Sequence, residues 1–419
     1  MCLHRQKHMK KLLLFLFIGL FCAHVPCAGQ TDGATRLADD SVAIEVSDSL
    51  WWPQNIQAQL QELMTDPLLE TTQLGLCVYD LTADSLLFAH GQRQLLRPAS
   101  TQKVVTAVAA LAELGGSHLF ETNFYHTGVV EDTLLRGDLY LVGGFDPAFG
   151  HDDMKAFMHA LTALGVRRIE GQIYADRTFK DTLRWGSGWC WDDKATRLTP
   201  LLFGGRDCFE TAFFEALAEE GITADSLIRE KRLPAEGVRL IANRFHTMDQ
   251  ILMHMMKDSD NLYAEAMFYQ LAAKSGRPYA GAKEAAGYVK ALIRRLGFDP
   301  DHYRIADGSG LSLYNYVSAE LLVALLRHAY RDNQISLHLW PSLPRAGVDG
   351  TLERRMKRGC AYDHIYAKTG TLTGVSSLAG YAKAANGHVL AFAIINQGIR
   401  RNAQGHRFQD RVCELLTIP

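Results

Sequence analysis

Three short strings place hydroxyls, amines and an amide in an order suited to nucleophilic chemistry: Ser100-Thr101-Gln102-Lys103, Ser259-Asp260-Asn261 and Lys368-Thr369-Gly370. Ser100 and Lys103 are three residues apart, so on a helix their side chains share one face within reach of each other. A serine hydroxyl becomes a nucleophile only beside a base. A lysine amine is that base only if its pKa falls, through burial, the positive end of a helix or a second cation. Lys368 is the candidate for the second cation. Taken singly the strings carry little, because a Ser-x-x-Lys arises by chance about once in a chain this long and a given tripeptide in roughly one such chain in twenty. Each also has a plain structural reading, as a helix cap, another helix cap and a strand-end turn. Together, in this order, they are a strong signal.

The elements that must position them are legible. Ala99–Leu114 is rich in Ala, Val and Leu, with Pro98 before it and Gly115-Gly116 after it, the punctuation of a helix with Ser100 in its first turn. Ser259-Asp260-Asn261 falls in a turn before a helix that begins near Leu262, within a helical stretch from Asp249 to Ala273. Lys368-Thr369-Gly370 opens the last strand system, in which Val375–Lys383 and His388–Asn396 flank Asn386-Gly387, a hairpin signal. Strands are also expected at Leu74–Leu81 and Leu86–His90, and helices at residues 53–64, Thr211–Glu220, Gly281–Arg295, Ser318–Arg331 and Gln404–Leu416. Between about 117 and 245 the texture changes to short β-like stretches, such as Gly137–Gly143 and Arg168–Ala175, among loops rich in Gly and Trp. Strands at both ends with helices between them predict one sheet assembled from both ends of the chain, in a layered α/β or α+β arrangement.

Composition sets the outer limits. The 419 residues correspond to between two and three ordinary domains, and 47% hydrophobic content can bury a large core. A net charge of −2 lacks the basic excess of a nucleic-acid binder. Arg5, Lys7, Lys10 and Lys11, the apolar run Leu12–Ala23 and the small residues around Ala28 have the layout of a secretory signal peptide over 1–29, and the run is too short to span a bilayer. Met9 is an alternative start. Cys27 invites a lipoprotein reading that Pro26 and His24 fit badly. No later run reaches spanning length. Residues 1–30 hold four basic and no acidic residues, which leaves 40 basic against 46 acidic, net −6, in an exported chain. Cys77, Cys190, Cys208, Cys360 and Cys413 show no paired ligand spacing, and most are expected in the core; Cys190 and Cys208 could pair after export. Asp152-Asp153 and Asp192-Asp193 read as capping or loop carboxylates. No cofactor motif and no metal site are expected.

With these residues in view, the chain resembles the serine-type D-alanyl-D-alanine carboxypeptidases/endopeptidases of the penicillin-binding protein 4 group. The resemblance covers most of residues 50–400. It rests on Pro98-Ala99-Ser100-Thr101-Gln102-Lys103, Gly137-Asp138-Leu139, Asp307-Gly308-Ser309-Gly310-Leu311-Ser312, Leu343-Pro344-Arg345-Ala346-Gly347, Gly350-Thr351-Leu352 and Ala367-Lys368-Thr369-Gly370-Thr371-Leu372. It implies an α+β fold, with a β-lactamase/transpeptidase-like antiparallel sheet flanked by helices and a smaller inserted β-rich domain. The catalytic domain would comprise 30–122 and 246–419, with 123–245 inserted. It implies catalysis by Ser100 as nucleophile, Lys103 as proton acceptor, Ser259 as proton relay, Asn261 as holder of substrate and Lys103, and Lys368 as a local charge. Thr369, Gly370 and Thr371 would bind substrate, and the N–H groups of Ser100 and Thr371 would form an oxyanion hole. Peptidoglycan stem peptides are the implied substrates and β-lactams the implied covalent inhibitors, in a periplasmic or cell-envelope setting. The chain departs from the long family members in its short Ser100-to-Ser259 span of 159 residues and in Phe145, where a glycine is common. Two other readings fit the strings less well. A class A-like β-lactamase would need a Glu-x-x-Leu-Asn loop that is missing, and a catalytically idle peptidoglycan-binding protein would not need the intact polar set.

Overall fold

The structure is a computed structural model and describes residues 51–225 and 227–418. The expected signal peptide and Cys27 lie outside the described residues. In chain order, α1 (Gln54–Leu63) leads into β1 (Gln73–Asp80) and β2 (Ser85–His90), and a turn of 3-10 helix at Ala99–Thr101 continues as α2 (Gln102–Leu114). Then come β3 (Leu119–Thr127), β4 (Val129–Glu131), β5 (Leu134–Arg136), β6 (Leu139–Gly143), α3 (His151–Ala163), β7 (Arg168–Glu170) and β8 (Ile173–Asp176). After α4 (Phe209–Glu219), β9 (Ile228–Glu230) and β10 (Val238–Thr247) the chain is helical. It runs through α5 (Met248–Lys257), α6 (Asn261–Ala273), α7 (Ala282–Arg295), α8 (Ala319–Arg331) and α9 (Asn333–Ser342). It ends in β11 (Ile365–Leu372), β12 (Val375–Lys383), β13 (Val389–Gln397) and α10 (Asn402–Thr417).

The two chain ends meet in one antiparallel sheet of order β11-β12-β13-β1-β2. Side chains alternate between its faces, and both faces are covered, so β12 and β13 are buried at almost every position. Leu76, Val78, Leu378, Ala382, Phe392 and Ile394 enter one core, with Ile56 and Leu60 of α1 and Phe408 and Val412 of α10. Cys77, Ala379, Tyr381, Ala391 and Ala393 enter the other, beneath the helical layer. In that layer α2 packs against α6, α7, α8 and α9 and is buried at every position from Gln102 to Leu111. Its small residues Ala107, Ala109 and Ala110 allow neighbouring backbones to approach closely, and Gly115 at φ +81° ends it.

A second sheet, of order β10-β3-β6-β8-β9, packs with α3 and α4 around its own apolar core, which includes Phe124, Phe157 and Phe213. It is mixed: β10-β3 and β3-β6 are antiparallel, whereas β6-β8 and β8-β9 are parallel. The boundaries expected near 122 and 246 fall inside β3 and β10, which pair from Leu119 with Thr247 to Thr127 with Val238. The described residues cluster as one compact unit.

Several local expectations need correction. Ala99–Thr101 is a 3-10 turn, with Ala99 at φ +49°, and the α-helix starts only at Gln102. The expected stretch Arg168–Ala175 is two strands in different sheets, parted at Gly171. Cys190 and Cys208 are not bridged, since all five cysteines of the described residues are free and the Cys208 thiol donates to the Phe203 carbonyl. Only Cys77 and Cys413 are buried; Cys190 and Cys360 are exposed. Asp193 does serve a loop, accepting the Cys190 N–H at 2.6 Å.

Candidate active site

Ser100 sits on the 3-10 turn, half-buried, at the point where α2 begins. That turn is held from within and from outside. The Ser377 hydroxyl of β12 and the Thr101 hydroxyl both donate to the Pro98 carbonyl, at 2.5 and 2.7 Å. Gly370 of β11 presses on the same turn: a Cβ there would lie 2.8 Å from the Pro98 carbonyl oxygen, 2.9 Å from the Ser100 nitrogen and 2.2 Å from Ser377 Oγ. Gly310 closes in from the other side at φ +82°, where a Cβ would fall 1.9 Å from the Ala99 carbonyl oxygen. Neither position has room for a side chain.

One helical turn into the core, Lys103 is fully buried. Its Nζ donates to Ser100 Oγ at 3.1 Å, to Asn261 Oδ1 at 2.7 Å and to the Ser309 carbonyl at 2.9 Å. Desolvation pushes its pKa down to about 8, against the attraction of Asp307, Glu265 and Asp260. At pH 7 about a tenth of the amine is therefore neutral and able to accept a proton.

The second string forms the other wall. Ser259 adopts φ +60° between α5 and α6, and Asp260 caps α6 by accepting the Tyr263 N–H at 3.2 Å. The capping role leaves Asn261, the first residue of α6, facing Lys103. Lys368 of β11 is also fully buried, and its Nζ donates to Ser259 Oγ and to the Thr369 carbonyl, both at 2.8 Å. Burial, then repulsion from Lys103, holds Lys368 well below the usual lysine range. Thr369 is half-buried and donates its hydroxyl to Thr351 Oγ1 at 2.7 Å, while Thr371 is exposed. Ser100, Lys103 and Asn261 thus form one hydrogen-bonded group and Ser259 with Lys368 a second beside it, with Gly370 packed against the turn that carries Ser100. A cavity of about 370 Å³, lined by Pro147, Lys194, His254, Asn261 and Tyr263 among others, opens beside Asn261.

The sequence matches the D-Ala-D-Ala carboxypeptidase 3 (S13) family over residues 56–201 and 205–417. The chain belongs to that family. This S13 peptidase is 28% identical to a D-alanyl-D-alanine carboxypeptidase of Actinomadura sp., over 82% of this chain and 81% of that one. It is 24% identical to the D-alanyl-D-alanine carboxypeptidase DacB of Haemophilus influenzae, over 78% and 86% respectively. Its fold is that of the crystal structure of penicillin binding protein 4 from Haemophilus influenzae, with a TM-score of 0.78 at 23% identity and coverage of 85% of this chain and 99% of that one.

Sequence reasoning assigned no role to four groups in this S13 site. Glu265, one turn along α6 from Asn261, is fully buried and accepts the N–H groups of Gly308 and Ser309 at 3.2 and 2.8 Å. Burial and then the charge of Asp307 push its pKa up to about 8. Asp307, also buried, gathers the N–H groups of Gly310 and Ser312 at 2.8 and 2.7 Å and the Asn315 amide at 2.6 Å. The Ser309 carbonyl and Thr351 complete the set. All but Glu265 lie in stretches noted for the family resemblance, yet only the tertiary contacts give them work.

The packing of Gly370 yields a test. Gly370→Ala must displace either the Ser100 turn or β11, and misplacing a reacting group by about 1 Å costs about 100-fold in rate. The expected result is a loss of that order in the penicillin acylation rate with folded protein retained, read by stopped-flow and circular dichroism. Wild-type rates would show that β11 does not hold the Ser100 turn.

Proposed function

We propose that this S13 peptidase hydrolyses the bond between two terminal D-alanines, or the equivalent cross-link, in peptidoglycan stem peptides through an acyl-enzyme on Ser100. The observation that carries this reading is the 3.1 Å contact between Ser100 Oγ and a buried Lys103 amine whose pKa is pushed down to about 8. In the first half-reaction Ser100 Oγ attacks the carbonyl carbon, and its proton passes to Lys103 Nζ. The N–H groups of Ser100 and Thr371 would hold the developing oxyanion, an interaction that can supply about 3 kcal/mol per donor. The C–N bond breaks as Ser259, kept in place by Lys368, relays a proton to the leaving amine. Asn261 steadies both Lys103 and the substrate amide. Water then attacks the ester, the acyl group leaves as a carboxylic acid, and Ser100 recovers its proton.

Substrate docking follows from the sheet. β11 is an edge strand, and residues 344–346 cover only its first half, with Ala346 N–H donating to Ile365 and Ala367 N–H donating to Pro344. Among the described residues no segment pairs with the outer edge beyond Ala367. An extended peptide can add there as a further strand, with its terminal carboxylate near Thr369, Gly370 and Thr371. β-Lactams would acylate Ser100 and persist, because the amine expelled on ring opening stays tethered to the acyl group. Likeness to a Haemophilus influenzae penicillin binding protein 4 solved in complex with a β-lactam supports this reading. A predatory endopeptidase of Bdellovibrio bacteriovorus shares the fold at a TM-score of 0.55 and 16% identity, which keeps cross-link cleavage within the proposal.

We place the action outside the cytoplasm, in the periplasm or cell envelope, with residues 1–29 as the export signal. Among the described residues no helix is long and apolar enough to cross a membrane. We read 123–245 as an inserted accessory part within the split catalytic domain.

Incubation with a fluorescent penicillin is expected to label the wild-type protein covalently, with the added mass on the tryptic peptide that contains Ser100. A protein that takes no label, or takes it elsewhere, would sink the proposal. Separation of the products from defined muropeptides then reads whether D-alanine or a cleaved cross-link appears.

A further inference from the structure

Ser187-Gly188-Trp189, in the connection between β8 and α4, docks on the loop 307–314. The Ser312 hydroxyl donates to the Ser187 carbonyl at 2.6 Å, and the Leu313 N–H donates to the Gly188 carbonyl at 3.2 Å. The Trp189 indole N–H donates to Asp307 Oδ2 at 2.8 Å, across 118 residues of sequence. Asp307 is otherwise satisfied from within its own loop, by Ser309 Oγ, the N–H groups of Gly310 and Ser312, and Asn315. Among the described residues the indole is thus its one donor from outside 307–315. The same loop presents the Ser309 carbonyl to Lys103 Nζ.

We infer that Trp189 is a positioning residue for the catalytic lysine, its indole N–H fixing Asp307 and thereby the loop that carries the Ser309 acceptor. The inference rests on the proposed hydrolase reading of the site. Its reach is electrostatic as well as steric. The groups that face Lys103 are Asp307 from the loop, Glu265 of α6, Asp260 that caps it, and Lys368 from β11. Asp307 is the strongest of the attractions that favour the charged amine. An N–H pointed at its carboxylate spreads that charge, so loss of the indole donor leaves more of it directed at Lys103 and makes the amine harder to deprotonate.

Trp189→Phe keeps an aromatic ring in the partly buried niche and removes only the donor. In the purified full chain the expected result is a fall of about tenfold in the limiting rate of penicillin acylation at pH 7, with the non-covalent dissociation constant unchanged. The acid limb of the pH–rate profile should move up by about half a unit. Ser312→Ala, which cuts a second tie of the same segment, should shift both readouts the same way by less, and it decides the matter if Trp189→Phe fails to fold. Trp191→Ala, at a residue 96% exposed two positions on, should match the wild type in both. A Trp189→Phe protein with wild-type rate and profile overturns the inference alone. So does one whose activity falls only with its folded fraction, at an unmoved profile. A wild type that takes no penicillin label on Ser100 overturns the hydrolase reading, and this inference with it.

Discussion

Ser100→Ala is expected to abolish the covalent penicillin label and to lower D-Ala-D-Ala hydrolysis by about 10⁶-fold, the scale seen when the nucleophile of a serine hydrolase is removed. The structure explains why the loss should be chemical and not structural. Ser100 Oγ is half-buried and accepts a single hydrogen bond, from Lys103, and that amine keeps Asn261 and the Ser309 carbonyl when the oxygen is gone. The turn that carries Ser100 is held by Ser377, Thr101 and the close approach of Gly370, none of which uses the Ser100 hydroxyl. The melting temperature should therefore stay near that of the wild type while a penicillin still binds reversibly in a competition assay. Residual label at the wild-type rate would mean that another residue is the nucleophile.

Lys103→Met should lower the acylation rate by about 10³-fold, within the range that a positioned proton acceptor contributes. The sign of the pH dependence follows from burial. The folded-state pKa of Lys103 lies near 8, below the ordinary lysine value of 10.5. Only the neutral amine can take the Ser100 proton, so the wild-type acylation rate should rise with pH up to about 8 and then level. In Lys103→Met that rise should vanish, because the group that titrates is absent. Stability runs in the same direction: between about 8 and 10.5 the unfolded chain binds the proton more tightly than the folded one, so this group contributes a gain in stability as pH rises through that window. Methionine removes a desolvated charge but leaves the Asn261 and Ser309 oxygens without their donor. These effects oppose each other, and the folded state should survive. A pH–rate profile of Lys103→Met that still rises toward 8 would assign the proton acceptor elsewhere, with Lys368 the next candidate.

Much of this arrangement is local and therefore legible in the chain. The three-residue spacing across the 3-10 turn and the start of α2 brings Ser100 and Lys103 together without reference to the rest of the protein. Asn386-Gly387 sets the hairpin of β12 and β13, which pair from Val375 with Gln397 to Lys383 with Val389. The nearly continuous apolar runs of β1 and β13 mark strands buried on both faces. Less legible were α3 and α9, which were not anticipated. The Trp-rich loop has a composition that gives no hint that Trp189 bonds Asp307 and the neighbouring Trp191 bonds nothing comparable.

By itself the sequence determined the inventory and the order: a serine with a lysine one helical turn on, a Ser-x-Asn at a helix start, and a Lys-Thr-Gly on the strand that leads the final hairpin. These are properties of neighbours along the chain, where spacing alone fixes geometry. Only the tertiary structure decided how tightly that lysine holds its proton. Burial in a layer of helices, against the carboxylates of Asp307 and Glu265, sets the proton affinity of Lys103, and those two residues lie 204 and 162 positions further along the chain. A pKa is a property of the field at a point, and that field exists only once the chain has folded around it.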